Sequence, residues 1–274
     1  MKLRRPTAVA LLLVTTGFTH PLFAAIAIDP LSWGLAPGTT FRLVLVTFGT
    51  TAATSTNIAT YDTFVNTQNV DQITYNGSTL SWQALGLTTS SSPISDSSRY
   101  SSQANSTLVY NLNGQAVSNT TAGTQFWRTT GSSTHLAPIN YTINSSGNLA
   151  LSSASNAWTG FDYNGLLQTT RNYNTSGTQI GTVTAALGQS TAYRTSTGIA
   201  STLYPAYGRI AASANGWASI GSNSALSTQY PMYAMSSLIT VTAAAVPEPS
   251  SYAVIAGLLA LATTTLRRPR PSKV

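Results

Sequence analysis

The chain contains no cysteine and unusually few charged residues. Without thiols it can form neither a disulfide nor a thiolate metal site. Charged residues make up 7% of the 274 residues, so hydroxyl and amide side chains must supply most of the polar surface. Two histidines and six acidic residues are available for acid–base or metal chemistry. These shortages exclude disulfide scaffolds and zinc–thiolate domains, and we expect neither a catalytic centre, nor a metal, nor another cofactor.

The net positive charge of the chain is concentrated at its two ends. The formal net charge is +7 and the isoelectric point is near 9.8. Between residues 28 and 246, however, arginines and aspartates are almost balanced and are scattered along the chain. No basic patch forms there to neutralise a run of phosphates, which excludes nucleic acid as a partner. The basic residues at the ends are Lys2, Arg4, Arg5, Arg267, Arg268, Arg270 and Lys273.

Residues 1–27 have the pattern of a cleavable signal peptide. A basic start is followed by the apolar stretch 8–14, and Ala25 and Ala27 provide the small residues of an A-x-A-like cleavage site. An uncleaved membrane anchor is disfavoured, because a spanning helix needs about 20 apolar residues. We expect the general secretion machinery to export the chain and cleavage to follow Ala27 or to occur a few residues earlier.

Residues 246–274 combine a short motif, an apolar segment and a basic end. The apolar segment, residues 251–266, would be about 25 Å long as a helix, close to the hydrocarbon core of about 30 Å. The sequence therefore predicts a transmembrane helix whose cytoplasmic end is fixed by Arg267, Arg268 and Arg270. The motif before it is Val246, Pro247, Glu248, Pro249 and Ser250.

This tail resembles the PEP-CTERM sorting signal, which is also described as the C-terminal domain of ice-binding proteins. The resemblance implies that an exosortase-type membrane peptidase recognises Pro247, Glu248 and Pro249. It also implies a transient or lasting anchor in the inner membrane of a Gram-negative-type bacterium. Delivery to the cell envelope, cell surface or extracellular matrix follows, often in cells that make exopolysaccharide. Binding to ice is disfavoured, because the chain has no regular Thr-x-Thr array.

Residues 28–245 have the pattern of one strand-rich domain. The apolar, β-branched run 41–47 predicts a well-buried strand. Residues 54–56 can cap the one main helix, because the apolar residues that follow fall on one helix face. That face consists of Ile58, Tyr61, Phe64 and Val65.

Asn-Gly pairs predict where the strands turn. Residues 110–117 fit a hairpin closed by a type I′ turn at Asn113 and Gly114. Residues 231–235 and 238–241 predict two closing strands. Further tight turns are expected at the Asn-Gly pairs that begin at Asn76, Asn164 and Asn215.

The order of short motifs in the body resembles bacterial secreted domains related to endostatin and C-type lectin folds. The resemblance implies an α+β fold outside the cytoplasm. The cysteines of those relatives are absent here, so their disulfides do not transfer. The calcium and sugar motifs of the lectins are absent too, so a calcium-dependent sugar site is not expected. The matching segments are residues 81–84 with Asp96 and Arg99, then 109–114, 137–140, 157–160 with Asp162 and Gly165, 213–217 and 231–233.

Few residues of the body could carry chemistry. His135 is its one histidine, and we interpret it as a surface or capping residue rather than a catalytic base. Asp96 and Asp162 could form the carboxylate pair of a glycosidase. The simpler interpretation pairs Asp96 with Arg99 and assigns Asp162 to a turn.

Four tryptophans leave two interpretations open. They could line a glycan-binding platform, but we favour core anchors in a domain with little other large apolar mass. The sequence thus predicts a non-enzymatic glycan-binding or structural protein of the envelope or matrix, with exopolysaccharide as a partner. The alternative is a secreted hydrolase that acts on envelope polysaccharide. The four residues are Trp82, Trp127, Trp158 and Trp217.

Overall fold

The computed structural model describes residues 25–88, 107–121, 125–127, 135–161, 165–212, 215–243 and 255–261. The helix α1 spans Ile58–Asn66, two 3₁₀ helices span Val70–Gln72 and Asn215–Trp217, and residues 255–261 are helical. The described strands are β1 (Ile26–Ala27), β2 (Thr40–Val46), β3 (Ile73–Tyr75), β4 (Ser78–Thr79), β5 (Trp82–Leu85), β6 (Leu108–Asn111), β7 (Ala116–Ser118), β8 (Tyr141–Ile143), β9 (Leu149–Leu151), β10 (Asn156–Trp158), β11 (Gln168–Tyr173), β12 (Gln179–Ala185), β13 (Thr191–Arg194), β14 (Ala200–Leu203), β15 (Tyr207–Arg209), β16 (Tyr233–Ser236) and β17 (Ile239–Thr240).

A mixed sheet of six strands forms the centre of this strand-rich domain. Its order is β5-β16-β2-β6-β7, and β17 pairs with one end of β2. The β2–β6 pair is parallel, whereas the other pairs are antiparallel. β2 is the apolar run that the sequence indicated as a well-buried strand, and that prediction is confirmed. The closing strands are confirmed as β16 and β17, with bounds shifted by one or two residues.

Both faces of the central sheet are covered by apolar side chains. Because side chains alternate along a strand, β2 sends Leu43 and Leu45 to one face and Val44 and Val46 to the other. The first face packs against α1 through Tyr61, and the second packs against a cluster of aromatic rings. A strand buried on both sides explains why β2 has a continuous apolar sequence rather than an alternating one.

Helix α1 also satisfies the outer edge of the sheet. Asp62 Oδ1 accepts a hydrogen bond from the backbone N–H of Ala84 at 2.9 Å, and Asn66 Nδ2 donates to the carbonyl of Trp82 at 3.1 Å. The two helix residues are four apart and therefore lie on one helix face. Their side chains take the place of a further strand along β5, which removes a site for edge-to-edge association.

The helix begins one residue later than the predicted cap. Asn57 is the N-cap, and its Oδ1 accepts from the backbone N–H of Ala59 at 3.0 Å. The prediction of a cap within residues 54–56 is therefore wrong, although Ser55 Oγ accepts from the N–H of Asn57. The predicted apolar face is present, with Tyr61 and Val65 buried.

The Asn-Gly pairs form different turns. Asn76 and Gly77 both have positive φ, at 51° and 75°, and make the tight two-residue turn between β3 and β4. The hairpin of β6 and β7 is confirmed, but its predicted type I′ turn is wrong. Gly114 has a φ of 74°, whereas Asn113 is not among the residues with positive φ. Asn215 begins a 3₁₀ helix, and Asn164 lies outside the described residues.

The predicted targeting segments lie mostly outside the described residues. Ile26 and Ala27 form β1, which pairs in parallel with β3, so cleavage after Ala27 would remove this short strand. The motif 246–250 and the terminal arginines fall outside the description, as do residues 1–24. Within the described ranges, no helix has the length and apolarity needed to cross a membrane.

Residues Trp158, Thr159 and Gly160 join several distant segments at one point. The Trp158 indole N–H lies 3.1 Å from the carbonyl oxygen of Thr51 and 3.2 Å from that of Thr228. We refer to residues 158–160 as the junction segment. Its other hydrogen bonds reach the backbones of Leu87, Ala206, Ala218 and Pro231.

Replacement of Trp158 should test how much the fold depends on this segment. The ring is fully buried, so Trp158→Ala should lower the free energy of unfolding by about 3–5 kcal/mol. Trp158→Phe keeps a ring but removes the indole donor from the carbonyls of Thr51 and Thr228, so it should cost about 1–3 kcal/mol, although Thr51 keeps the N–H of Tyr230. Urea unfolding measures both. The control is Leu151→Ala, since Leu151 is 62% exposed. A loss below about 1 kcal/mol for Trp158→Ala would contradict the prediction.

Candidate functional site

The tryptophans do not form a surface for glycan. Trp82, Trp127, Trp158 and Trp217 are buried, and the most exposed of them retains 6% of its surface. Trp158 packs on the helix side of the sheet, while Trp127 and Trp217 belong to the cluster on the other face. The interpretation of these residues as core anchors is confirmed, so a ligand site must use other residues.

His135 is part of that buried aromatic cluster, so its interpretation as a surface residue is wrong. Its ring stacks against both Phe126 and Trp217, with centroid distances of 5.1 and 4.6 Å, and these two rings also contact each other. His135 Nε2 lies 3.1 Å from the carbonyl oxygen of Phe126. Because a carbonyl only accepts, Nε2 carries the hydrogen. Nδ1 is then a buried acceptor that no described residue contacts as a donor.

Burial determines the charge state of His135. Desolvation lowers the pKa of the imidazole to about 4, and the hydrogen bond to the Phe126 carbonyl opposes that change only in part. Burial likewise raises the pKa of the neighbouring Tyr233 hydroxyl. Both side chains are therefore neutral at pH 7. A neutral, buried ring packed against two aromatic side chains acts as a core residue, and it contacts no nucleophile among the described residues.

The titration of His135 should make the fold sensitive to acid. The folded-state pKa of about 4 lies below the ordinary histidine pKa of 6.5, so between these values the unfolded chain binds a proton that the folded chain does not. Stability is therefore fully present above pH 6.5 and falls as the pH drops towards 4. The loss between pH 7.5 and 4.5 should be about 2–3 kcal/mol.

Urea unfolding at the two pH values measures this loss. His135→Phe keeps an aromatic ring at this position. In this variant the part of the pH-dependent loss of stability that comes from His135 should be absent, because no other histidine lies in the body. An equal loss in wild type and variant would assign the pH dependence to other groups.

Two of the three described acidic residues make structural hydrogen bonds, and the third, Asp71, is exposed. Asp62 binds the β5 edge, and Asp29 accepts from the backbone N–H of Ser32 at 3.4 Å in a turn. Asp96, Arg99 and Asp162 lie outside the described residues, so the predicted pair is not placed. No group of three or more His, Cys, Asp or Glu residues that could hold a metal ion occurs in the described part of the chain.

Residues 168–203 form two adjacent hairpins, which we call the hairpin pair. β11 pairs with β12 and β13 pairs with β14, both antiparallel. Most side chains of β12 and β14 are exposed, unlike those of the central sheet. The two hairpins are joined by Asn172, whose Oδ1 accepts from the backbone N–H of Arg194 at 2.9 Å, and by Thr191, whose hydroxyl donates to the carbonyl of Thr184 at 2.7 Å.

The chain between the two hairpins is anchored in the core. Ala185, Ala186 and Leu187 are fully buried, and the N–H of Leu187 donates to the carbonyl of Leu87 at 2.8 Å. Gly160 of the junction segment packs directly on Leu187, where an added Cβ would lie 2.9 Å from its Cγ. The exposed hairpin pair is therefore attached to the most interconnected part of the fold.

The four longer hairpin turns share one construction. In each turn the backbone carbonyl of the first residue accepts a hydrogen bond from the backbone N–H of the fourth residue. The backbone N–H of the first residue donates to the carbonyl of the fifth residue. The fourth residue is a glycine with φ between 74° and 78°. The side-chain oxygen of the first residue also accepts the N–H of the fifth residue. The four turns are residues 111–115, 144–148, 174–178 and 195–199.

The repeated turn has a simple physical basis. An Asn side chain can accept backbone N–H groups two and four positions later, as Asn174 does from Ser176 and Thr178. Glycine supplies the positive φ that other residues adopt at a cost. Asn144 and Asn174 each begin an Asn-x-Ser sequence of the kind that can be glycosylated, but in these turns the Asn side chain is used as a local acceptor.

The tips of the hairpin pair interlock through two glycines. An added Cβ at Gly177 would lie 2.5 Å from the carbonyl oxygen of Ser196, and one at Gly198 would lie 2.5 Å from that of Thr175. Each glycine is the fourth residue of its turn, and each carbonyl belongs to the second residue of the other turn. The contact is therefore reciprocal, and it holds the two turns backbone to backbone.

Alanine at either glycine should disrupt this contact. Gly177→Ala and Gly198→Ala combine an unfavourable φ with a clash, whereas Gly34 has a φ of 82° and no atom within 4 Å of an added Cβ. Gly34→Ala should cost about 1–2 kcal/mol for conformation alone. Each tip variant should cost at least about 1 kcal/mol more. Urea unfolding of the three variants measures the difference, and equal losses would mean that the tips do not pack as described.

A groove of about 470 Å³ opens between the two hairpins. Its polar lining includes Asn172 and Arg194, and its aromatic lining consists of Tyr173 and Tyr193. A β-bulge between Asn172 and Tyr173 shifts the strand register beside the groove. Ile180 adds an apolar side chain that is 62% exposed.

A second depression, of about 370 Å³, lies where the two ends of the body meet. It is lined by Asp29 and Pro30 from one end, by Thr242 from the other, and by the turn at Tyr75 and Asn76. Asn76 Nδ2 donates to the Thr242 hydroxyl at 2.9 Å, so the turn holds the C-terminal end of the body in place. This depression therefore belongs to the packing of the two chain ends, whereas the groove of the hairpin pair is the candidate site.

Comparison of the chain with protein-family models, curated proteins and solved structures found no match.

Proposed function

We propose that this chain is an exported, non-enzymatic protein of the cell envelope or extracellular matrix that binds glycan in the groove of the hairpin pair. The observation that carries the proposal is the groove lining. Tyr173, Tyr193, Asn172 and Arg194 border one opening on an exposed part of the domain. Aromatic faces suit the C–H surfaces of sugar rings, while amide and guanidinium groups suit sugar oxygens.

The tyrosines have the properties that such a site needs. Tyr173 and Tyr193 are half-buried, so each ring is held by its neighbours and still accessible. They lie on β11 and β13, the strands that Asn172 connects. No described residue forms a hydrogen bond with either hydroxyl, which leaves both available for a ligand. Side chains that are already half-buried lose little conformational freedom when a sugar binds.

The fold of the body is compatible with the proposed lectin-like relationship. The domain is strand-rich and has one main helix, which the sequence resemblance implied. We propose that glycan binding in this body is independent of calcium, because the groove lining contains no carboxylate. The ligand would be held by aromatic, amide and guanidinium groups alone.

The tail supports the proposed location. Its sequence combines the Pro247-Glu248-Pro249 motif with an apolar segment and terminal arginines. Residues 255–261 are helical, and Ile255, Leu258 and Leu261 expose more than half of their surfaces. Exposed apolar side chains all along a helix suit a lipid environment. We propose that an exosortase-type peptidase recognises the motif and that the body is delivered outside the inner membrane.

The groove can be tested with purified body and immobilised exopolysaccharide of the producing cells. Tyr173→Ala and Tyr193→Ala should each weaken binding about tenfold or more, because each removes one aromatic face. The matched control is Tyr204→Ala, since Tyr204 is also half-buried and does not line the groove. Thermal unfolding of each variant shows whether the fold is retained. Unchanged binding by both groove variants would refute the site, and turnover of the polysaccharide would favour a hydrolase.

The tail can be tested in cells that contain an exosortase. Replacement of Pro247, Glu248 and Pro249 by alanine should block processing, because it removes the rigid, extended motif and its single carboxylate. Membrane insertion should remain, since it depends on the apolar segment and the arginines. Immunoblots of membrane and external fractions measure size and location. Identical size and fractionation of variant and wild type would reduce the tail to a plain anchor.

A further inference from the structure

The described acidic residues are concentrated in one part of the chain. All of them occur before residue 88, in the first part of the body. Residues 165–212 carry three arginines and no acidic residue, and residues 215–243 carry no charged residue. The hairpin pair therefore lies in a part of the chain whose only formal charges are positive. The described acids are Asp29, Asp62 and Asp71, and the described arginines after residue 165 are Arg171, Arg194 and Arg209.

Arg194 is the charged residue that lines the groove. Its backbone N–H donates to Asn172 Oδ1, and its Nη1 donates to the carbonyl of Gly198 at 2.8 Å. The hairpin pair thus fixes the Arg194 backbone by one hydrogen bond and the guanidinium by another. No described carboxylate pairs with it, and one of its five N–H donors is used. A half-buried cation without an anionic partner attracts an anion from solution.

From this arrangement we propose that the groove binds a carboxylated polysaccharide, with a uronate carboxylate on Arg194 and the sugar rings on Tyr173 and Tyr193. The proposal rests on the proposed function of the groove and names its ligand class. The planar guanidinium matches a carboxylate through two parallel N–H···O bonds. The adjacent tyrosines add contacts that a small inorganic anion or a bare phosphate would not use.

A polyuronate fits this site better than a nucleic acid does. Nucleic-acid binding needs several cations to follow successive phosphates, whereas one arginine lines this groove. A polymer of uronic acids carries one carboxylate on each sugar ring. One cation in a groove that two tyrosines also line can therefore bind the polymer at a single sugar residue, and repetition along the polymer supplies avidity.

The test compares two polymers that differ only in the carboxyl group. The probes are polygalacturonate and the same polymer after reduction of its carboxyl groups to alcohols. Calorimetry with the exported protein should give at least about tenfold tighter binding of polygalacturonate at low salt. Arg194→Gln should bring the two affinities together by weakening only the binding of polygalacturonate. Arg194→Lys should be intermediate, because it keeps the charge but not the planar fork.

Arg209→Gln is the matched control, because Arg209 is exposed and does not line the groove. It should bind both polymers as the wild type does, and thermal unfolding confirms that each variant is folded. Equal wild-type affinity for the two polymers would overturn this inference and leave the proposed glycan binding intact. Equal weakening by Arg209→Gln and Arg194→Gln would also overturn it, because attraction would then depend on net charge. Failure to bind either polymer, or the producer's own exopolysaccharide, would refute both proposals.

Discussion

The fold depends on the hydrogen bonds of the junction segment, residues 158–160. The indole N–H of Trp158 reaches two carbonyls that are far apart in sequence, those of Thr51 and Thr228. The hydroxyl of Thr159 lies 2.6 Å from the carbonyl oxygen of Ala218 and is fully buried. Gly160, with a φ of 72°, lets the backbones of Leu87 and Ala206 come close. In a chain without cysteine, such contacts take the place of disulfide cross-links, although each is individually weaker.

The same use of polar side chains as hydrogen-bond partners of the backbone recurs throughout the domain. Asp62 and Asn66 complete the edge of β5, and Asn172 connects the two hairpins. The first side chain of each five-residue turn accepts backbone N–H groups, which stabilises the turn without a charge. A sequence with 7% charged residues can therefore order its loops. The abundance of Asn, Ser and Thr follows from this local chemistry as much as from exposure to solvent.

Local patterns in the sequence predicted local features well. The apolar run of β2, the apolar face of α1 and the closing strands all depend on periodicity, which the sequence displays directly. The Asn-Gly rule identified the turn at Asn76, where both residues have positive φ. It missed the type of the turn at Asn113, because spacing from Asn111 to Gly114 determines that turn. In the other long hairpin turns the glycine also lies three positions after the first residue, and this spacing would have indicated the hairpin pair.

Properties that depend on tertiary packing were not predictable in this way. His135 follows a Ser- and Thr-rich segment, so the sequence suggested a surface position. Its burial results from contacts with Phe126 and Trp217. The sequence does not indicate these contacts, because the three side chains come together only in the folded domain. The groove was missed for the same reason, since Tyr173 and Tyr193 occupy strands of separate hairpins. Neither tyrosine belongs to a recognisable motif.

The attachment of the hairpin pair explains how an exposed groove can be rigid. At its base, Leu187 is held by Leu87 and Gly160 in the core, and at its tips Gly177 and Gly198 fix the two turns against each other. The strands between base and tips cannot separate without breaking the contacts at the base or those at the tips. Tyr193 and Arg194 lie between base and tip, so their positions are set before any ligand arrives. Binding then requires little ordering of the protein, and most of the contact energy can contribute to affinity.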